Sequence, residues 1–471
     1  MQSMIAYGML LGWPLVALCL FLTMPVGRAT IWTILAGYLL LPVIVNIDYP
    51  VLPAFDKSSI PSLSALALVL MMSRRGEFQW PRSRTINALL LLYVLVPLVT
   101  SFNNTNPIVI GPTTLPSYGL KDGLATMLDR AILAIPFVLG AGVLRDEKSH
   151  RQLVMAFALA GIAYSLPILL EIRLSPFLQT KLYGVIQQGY FAQQMRSGGF
   201  RSMVFLGHGL LVSTFCAMAL IATIGLARMR MQIFSIPAGL FAGYLALVLL
   251  LNKSLAAILF VAVVAGLFLG LRRRAFLSAA LAIAVVIFLY PMVRTADVLP
   301  LRSAVQQLSV ISAERSRSME FRLANEDMLL ERAWEKPFFG WGGYGRNRVI
   351  VETPWGTTAD LTVTDGTWVL AIGIYGLVGY FALFGLLTYP FWHVFTLRRF
   401  ALPVSSLTLL AMHLVNLLDL IPNSSLRPIT WMIAGALATM TVARARAPVA
   451  AGSRTKASRG GMAAGEPALQ N

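Results

Sequence analysis

The sequence predicts an all-α polytopic membrane protein with about 12–13 transmembrane helices. Of its 471 residues, 57% are hydrophobic and only 12% are charged, whereas a soluble domain has about 25% charged residues. The mean hydropathy is +0.72. The apolar residues also form runs whose length suits a bilayer crossing, which needs about 20 residues. We therefore expect one membrane domain, residues 1–444, instead of several soluble domains.

Thirteen apolar runs follow one another along the chain. They lie near residues 5–26, 29–46, 60–73, 86–101, 124–144, 152–170, 203–226, 232–251, 254–271, 275–293, 367–396, 402–420 and 426–443. The third and the last are short, which leaves 12 or 13 spans. The first run lacks a basic start, so we interpret it as a retained helix and not as a signal peptide.

Basic residues fall in alternate short loops, which predicts the orientation. They are Arg28; Arg74, Arg75, Arg82 and Arg84; Arg145, Lys148 and Arg151; Arg228 and Arg230; Arg272, Arg273 and Arg274; Arg398 and Arg399; and Arg444 and Arg446. The positive-inside rule places these loops in the cytoplasm, with the N-terminus outside and the C-terminus inside. The two largest loops, 171–202 and 294–366, are then external. The tail 445–471 is small and polar, and we expect it to be disordered.

Several function classes are excluded. The net charge of +18 lies in short loops between apolar runs, not on a soluble basic face of the kind that binds nucleic acid. Cys19 and Cys216 both lie in apolar runs, so no disulfide framework is implied. The four histidines are scattered, and no phosphate-binding P-loop is present. We expect no metal, no cofactor and no ATP hydrolysis.

A polar segment interrupts the apolar chain at 312–335. Met319, Leu323, Leu330 and Trp334 are spaced to share one face of a helix, and Glu326 lies close to that stripe. Lys336-Pro337 ends the helix because proline disfavours helical backbone in the residue before it. The helix either lies on the membrane surface with solvated charges or holds a functional site. Its cations are mostly arginines, such as Arg322, on the side where positive charge is disfavoured, which favours a site.

The segment "GWGGYGR" follows this helix, and "TVTDGTW" leads into the next span. The glycine-rich segment is either a ligand loop or a turn that returns the chain to the membrane. Asp365 is either a turn former or an acid held at the membrane boundary. Beyond it, Gly373, Gly376 and Gly379 predict a small-residue face for close helix packing.

Five further side chains are candidates. Arg201 lies where a span begins and, like Arg196, flanks a Ser-Gly-Gly, so each either reaches lipid headgroups or binds phosphate. His208 falls about two turns inside that span, as a packing or a functional residue. Lys253 lies in the tight "LNKSL" turn. Arg130, beside Asp129, is inside another span, where ionisable groups form an internal pair or face a cavity.

The ordered segments "RSGGFRSMVFLGHG", "LNKSLAAI", "FRLANEDMLLERAWEKPFFGWGGYGR" and "TDGTWVLAIGIYGLVGY" resemble the O-antigen ligase / Wzy-type polysaccharide polymerase superfamily. They resemble its exopolysaccharide and capsule polymerase-like branch most. The resemblance implies a GT-C-like glycosyltransferase of the bacterial inner membrane with a large periplasmic loop. Such enzymes transfer a glycan from undecaprenyl diphosphate to an acceptor hydroxyl without a metal. A chain-length regulator and a flippase of the same pathway are implied partners.

The resemblance also implies roles for residues. Arg196 or Arg201 matches an arginine before the mid-chain span, and Arg322 matches the arginine of the loop helix, so these would bind diphosphate. Lys253 is a further cation for that site, and His208 and Arg130 remain candidates. In the ligase branch a histidine precedes the span after the large loop. Here Asp365 takes that place as the base, with Glu326 as the second candidate. A polymerase is favoured; a ligase, a lipid-linked oligosaccharide flippase or a non-catalytic assembly subunit are the alternatives.

Overall fold

The computed structural model describes residues 4–48, 53–184, 194–196, 199–296, 305–307, 309–310 and 313–441. This part of the chain is mostly helical, and the predicted all-α polytopic architecture is confirmed. The predicted tail 445–471 lies outside the described residues. The helices are α1 Met4–Thr23, α2 Val26–Leu40, α3 Ser59–Met72, α4 Arg84–Phe102, α5 Leu120–Val143, α6 Glu147–Leu174, α7 Leu178–Tyr183, α8 Gly209–Arg228, α9 Ala238–Leu251, α10 Leu255–Gly270, α11 Arg273–Phe288, α12 Tyr290–Thr295, α13 Ala313–Trp334, α14 Thr367–Thr396, α15 Val404–Asp419 and α16 Pro428–Ala438.

Each of the thirteen apolar runs contains one of these helices. Among the residues that the structure describes, six helices are long and apolar enough to cross a membrane, namely α1, α4, α5, α6, α8 and α14. Six further apolar helices have 10–17 residues, which is at or below the lower end of the roughly 17–25 residues that a crossing needs. The sequence therefore located the apolar helices correctly but overstated the length of several.

The core of the bundle lies where small residues let backbones approach. α5 and α16 cross so closely that a Cβ on Gly435 would lie 2.0 Å from the Phe137 carbonyl oxygen. A Cβ on Gly140 would lie 2.2 Å from the carbonyl oxygen of Met432. Close backbone approach is a common way for helices to associate where lipid removes the hydrophobic driving force. α8 is buried among α6, α9, α10 and α15.

In the described part of the chain, four short antiparallel hairpins lie in the loops. They pair β1 Ile108–Ile110 with β2 Thr113–Leu115, β3 Met195–Arg196 with β4 Gly199–Phe200, β5 Gln232–Ile233 with β6 Ile236–Pro237, and β7 Ile350–Glu352 with β8 Thr358–Asp360. The first and last hairpins meet through the hydroxyls of Thr113 and Thr358, 2.7 Å apart. They therefore bring the α4–α5 and α13–α14 connections to the same end of the bundle.

α13 is the predicted helix, but Trp334, which the sequence pattern places on its apolar face, is 37% exposed. Leu329, Leu330 and Ala333 are buried along one side, where the helix packs on α14. It ends at Trp334, just before Lys336-Pro337. Residues 337–346, here called the return loop, turn back to the bundle. The indole nitrogen of Trp341 in this loop donates to the carbonyl of Arg332 on α13. The helix and its return loop therefore form one unit on the bundle.

The helix that carries the predicted small-residue face of α14 is interrupted at Gly376. This residue has φ 69° and ψ −171°, so the helix is broken there. The return loop fills the break: Trp341 and Gly342 donate backbone hydrogen bonds to Gly373 and Ile374, at 2.9 Å each. In the opposite direction, Leu377 donates to the carbonyl of Pro337 at 2.7 Å. Only contact with protein or water satisfies backbone groups at such a break, and the sequence spacing could not reveal this partner.

Candidate active site

The centre of the candidate site is an ion pair between two predicted residues. Arg322 Nη2 on α13 lies 3.6 Å from Asp365 Oδ2, just before α14. Both side chains are partly exposed, at 33% and 44%. The pair is thus formed within the protein and remains open to a ligand.

Hydrogen bonds fix the chain that presents Asp365. Asn325, on the same helix as Arg322, accepts a bond from the backbone N–H of Val363 at 2.7 Å. Thr367 begins α14 and donates its backbone N–H to the carbonyl of Leu420 at 2.9 Å. Between them, Gly366 has φ 85°, and a Cβ there would lie 2.6 Å from the Ile421 carbonyl. The predicted Asp-Gly turn therefore docks on the α15–α16 connection.

Arg322 is anchored to the same connection. Its Nη1 donates to the carbonyl of Pro422 at 2.8 Å and lies 3.4 Å from Asn423 Oδ1. Asn423 in turn donates to Asp419 Oδ1 at 2.7 Å, and Thr214 of α8 donates to Asp419 Oδ2 at 3.0 Å. Asp419 is only 2% exposed. This chain of bonds links α13, α15 and α8, so Arg322 is held from one side while its other nitrogen faces Asp365.

Asp419 was not predicted from the sequence. The available signal was a single acid at the end of an apolar run, in "LLDLIPNSSLRP", eight residues before the Arg-Pro that begins the following span. Ionisable groups at such a depth usually face partners inside the bundle.

The Arg201–His208 segment differs from its prediction. The span begins at Gly209, so His208 is not two turns inside it but is its N-cap, and Nδ1 accepts from the Leu210 N–H at 3.1 Å. Residues 201–208 are irregular and almost fully buried. Glu171 accepts bonds from the N–H groups of Met203 and Val204. Hydropathy alone could not separate such a buried loop from a helix.

Arg201 itself is only 6% exposed. Its side chain packs on the start of α8, where a Cβ on Gly209 would lie 2.1 Å from Arg201 Cδ. Lys253 reaches the neighbouring hairpin, since a Cβ on Gly199 would lie 2.6 Å from Lys253 Nζ. Arg196 is paired with Gly199 in that hairpin, and its side chain lies outside the described residues. The structure thus gathers Arg201 and Lys253 around one hairpin.

Lys57, which was not predicted from the sequence, contacts the 201–208 segment. Lys57 precedes α3, donates to the carbonyl of Phe205 at 2.6 Å and lies over the ring of Tyr38. Desolvation, followed by the charge of Arg427, lowers the pKa of Lys57 to about 7, against the opposing effect of Asp56. Burial and a nearby like charge both disfavour the protonated form of a lysine. Lys57 and Arg427 are far apart in sequence, so only the fold reveals them as neighbours.

Glu326 lies one turn beyond Arg322 on α13 and is 8% exposed. Its Oε2 is 3.7 Å from Arg294 Nε, and Arg294 also bonds Asp327. Desolvation raises the pKa of Glu326 to about 7, although the charge of Arg294 opposes the shift. A carboxyl group with a pKa near neutrality is suited to proton transfer at physiological pH. The sequence pattern indicated Glu326 but not Arg294, which is the first residue of the predicted large loop and lies in α12.

Arg130 contacts two tyrosines of the bundle. Its guanidinium donates to the hydroxyls of Tyr93 at 3.1 Å and Tyr375 at 2.7 Å. It also lies 4.5 Å from the centre of the Tyr375 ring. Tyr375 directly precedes Gly376, so Arg130 supports the α14 break from inside the bundle. Among the residues that the structure describes, no group of three or more His, Cys, Asp or Glu could hold a metal ion.

The fold and the site define a multi-pass membrane protein with a cluster of arginine, lysine and carboxylate side chains at one end of its bundle. Residues 238–384 match the family model Wzy_C, described as O-antigen ligase. The resemblance to the O-antigen ligase / Wzy-type superfamily is thereby confirmed, and it supports a membrane enzyme of the ligase or polymerase type. A search of curated proteins found no match. The matched segment includes Arg322, Glu326 and Asp365, whereas Arg201 and Asp419 lie outside it.

Proposed function

We propose that the protein is a bacterial polysaccharide polymerase. It transfers an undecaprenyl-diphosphate-linked glycan to the hydroxyl of an acceptor sugar, without a metal, at the periplasmic face of the inner membrane. The observation that supports this most is the 3.6 Å pair of Arg322 and Asp365. This pair brings a permanent cation and a carboxylate together, both partly exposed, at one end of the helix bundle.

Arg322 would bind the diphosphate. Breaking the sugar–diphosphate bond leaves its electron pair and negative charge on a phosphate oxygen. Arginine stays protonated and can donate two parallel hydrogen bonds to phosphate. A preorganised donor aimed at developing charge contributes about 3–4 kcal/mol. Arg201, Lys253, Lys57 and Arg427 supply further positive charge from the adjoining segments, with Arg196 as an additional candidate. These cations would do what a metal does in other transferases.

Asp365 would orient the acceptor hydroxyl and take its proton. The hydroxyl oxygen attacks the anomeric carbon, the bond to diphosphate breaks, and the proton passes to the carboxylate. Attack from the face opposite the leaving group inverts the anomeric centre. Glu326, with its pKa raised to about 7 by burial, is the second candidate base. Asp365 is the more accessible of the two carboxylates, which supports its place in direct contact with the acceptor.

The carboxylate before α14 favours the polymerase over the ligase. The segment that enters the helix reads "TVTDGTW" and contains no histidine, whereas the ligase branch has a histidine there by the resemblance described above. A flippase or transporter would instead use a broken helix to bind its cargo near the membrane midplane. The break of α14 at Gly376 is filled by the chain's own return loop. Its backbone groups are therefore already bonded and do not form such a binding site.

The orientation is part of the proposal. α14 begins beside Asp365 and ends at Thr396, next to Arg398 and Arg399. The positive-inside rule places those arginines in the cytoplasm, so the Arg322–Asp365 end faces the periplasm. The N-terminus would then be periplasmic and the C-terminus cytoplasmic. A chain-length regulator and a flippase of the same pathway would act beside it.

The test is a purified reaction with two acceptors in parallel. The chain receives lipid-diphosphate-linked repeat units with a chelator present, either alone or with lipid A–core. We expect a ladder of lengthened glycan in the first reaction and no transfer to lipid A–core in the second. Transfer to lipid A–core alone would identify a ligase. Absence of both products, together with lipid translocation in vesicles, would favour the flippase.

A further inference from the structure

An apolar groove opens on the side of the bundle between α6 and α9. It has a volume of about 590 Å³ and is lined by Leu159, Ile162, Ala163, Leu166, Phe234, Ile236, Leu240, Phe241 and Tyr244. The hydroxyl of Tyr244 is bonded to Ser165 Oγ at 2.7 Å. Because this polar group is already satisfied, the groove presents an almost entirely hydrocarbon surface. Leu166 and Leu240 are 68% and 67% exposed along it, so it opens towards the bilayer.

Both walls of the groove run to the segment that holds Arg201. On α6, Glu171 lies eight residues beyond Ala163 and accepts the backbone N–H groups of Met203 and Val204. On the other wall, Asn252 lies eight residues beyond Tyr244 and accepts the N–H of Ser202 at 3.0 Å. Eight helical residues rise about 12 Å. The groove therefore lies roughly 12 Å along both helices from residues 202–204, which directly follow Arg201.

We propose that this groove holds the isoprenoid chain of the lipid-linked donor while its diphosphate is at Arg201 and Arg322. The proposal rests on the proposed function, because that function supplies a donor with a diphosphate head and a long apolar tail. The cationic end and the apolar groove share two walls, and such a donor requires both surfaces in this order.

The groove would position the isoprenoid chain. It would not attract this chain more strongly than the bilayer does. Lipid tails are as apolar as the groove, so the hydrophobic effect does not favour it over the bilayer. Packing of the chain against the two walls would fix the direction from which the diphosphate reaches Arg201. Such orientation mainly affects the efficiency of the transfer step. A donor too short to reach the groove would not use it.

The test fills the groove and varies the length of the donor chain. Ala163→Trp places an indole in the groove, and Ala262→Trp, at an exposed alanine on α10 outside the lining residues, is the matched control. With Ala163→Trp, we expect kcat/KM to fall about tenfold for a donor with an eleven-unit isoprenoid chain and less than twofold for a three-unit donor. The control should leave both values within twofold. Equal effects on both donors, or none, would overturn the proposal and leave ordinary phospholipid as the occupant.

A binding readout separates this proposal from the proposed function. A long-chain isoprenoid diphosphate with a photoreactive group near the fourth unit is cross-linked to the wild-type protein, and the labelled peptides are identified. Labelling of α6 and α9, competed by unlabelled isoprenoid diphosphate but not by phosphatidylglycerol, is expected even if no glycan transfer occurs. Labelling elsewhere would refute the groove, whatever the activity. Absence of transfer from every donor by the wild type would instead refute the proposed function.

Discussion

Arg322 and Asp365 come from segments separated by more than forty residues, yet Nη2 of the arginine lies 3.6 Å from Oδ2 of the aspartate. Hydrogen bonds to other residues fix the distance between the two side chains. Asn325 holds the backbone at Val363, and the Pro422 carbonyl holds the guanidinium. The pair therefore belongs to a rigid junction between α13, the start of α14 and the end of α15.

The variant Asp365→Asn tests the proposed role of Asp365 as the base that takes the proton of the acceptor hydroxyl. Asparagine keeps the size of the side chain but cannot take a proton or pair with Arg322. We expect kcat to fall at least about 100-fold, as for loss of a general base, with donor binding changed little. The measurement is the rate of glycan transfer together with donor affinity. The same loss of activity with a lost donor affinity would show that Asp365 acts on the donor instead.

Glu326→Gln tests the second carboxylate by its pH dependence. The pKa of Glu326 in the folded protein is raised to about 7 from 4.5, mainly by desolvation. If its carboxylate is the base, transfer by the wild type rises with pH through about 7, and the glutamine variant loses this rise. Stability changes in the opposite sense. The unfolded chain releases this proton more readily, so the wild type is destabilised as pH rises from about 4.5 to 7.

A glutamine at 326 should therefore flatten the pH dependence of the melting temperature over that interval. A variant that retains both the rise in activity and the slope in melting temperature would remove Glu326 from the account. Glu320, an exposed acid on the same helix, offers a matched control as Glu320→Gln. It should leave both profiles unchanged.

Lys57→Met tests the second group of cations. The pKa of Lys57 in the folded protein is lowered to about 7, by desolvation and then by Arg427. Between about pH 7 and 10.5 the unfolded chain binds more protons at this position, so stability should rise with pH across that window. Thermal unfolding at several pH values should show this rise in the wild type and lose it in the methionine variant. An unchanged profile would contradict the position of Lys57 beside Arg427.

Gly376→Ala tests the break in α14. The residue has φ 69°, and a Cβ there would lie 2.2 Å from the carbonyl carbon of Phe338. Strain of this kind costs about 1–3 kcal/mol, and the clash with the return loop adds to it. We expect a melting temperature lower by several degrees. Gly266→Ala on α10 is the matched control, because nothing lies within 4 Å of its added methyl group. Equal melting temperatures for the two variants would argue against the docked loop.

The sequence was most informative where one property decides the structure. Each of the thirteen apolar runs overlaps at least one helix in the described part of the chain, and the amphipathic pattern with Lys336-Pro337 predicted α13 to within about a residue. Prediction from the sequence failed where two different structures are compatible with the same composition. The buried loop 201–208 is as apolar as a helix, and the three glycines of α14 suit helix packing as well as a break. Only the contact between Gly376 and the return loop decides between these two.

The site was predictable in its main pair but not in its surroundings. Arg322 and Asp365 were suggested by the resemblance of the chain to the O-antigen ligase / Wzy-type superfamily and by their charge beside apolar segments. Lys57, Arg294, Asp419 and Arg427 lie in separate loops and at the ends of separate helices. Each has an ordinary explanation when read alone, as a capping, interfacial or turn residue. Their meaning depends on distances that only the folded chain defines.

The most direct measurement compares wild type, Arg322→Lys and Arg317→Lys in a reconstituted transfer reaction with a chelator present. Lysine keeps the charge at 322 but loses the forked hydrogen bonds, so the account predicts a rate lower by about 100-fold or more and no long glycan. Arg317 is exposed on the same helix, and its variant should match the wild type. Glycan of normal length and rate from Arg322→Lys would contradict the central claim.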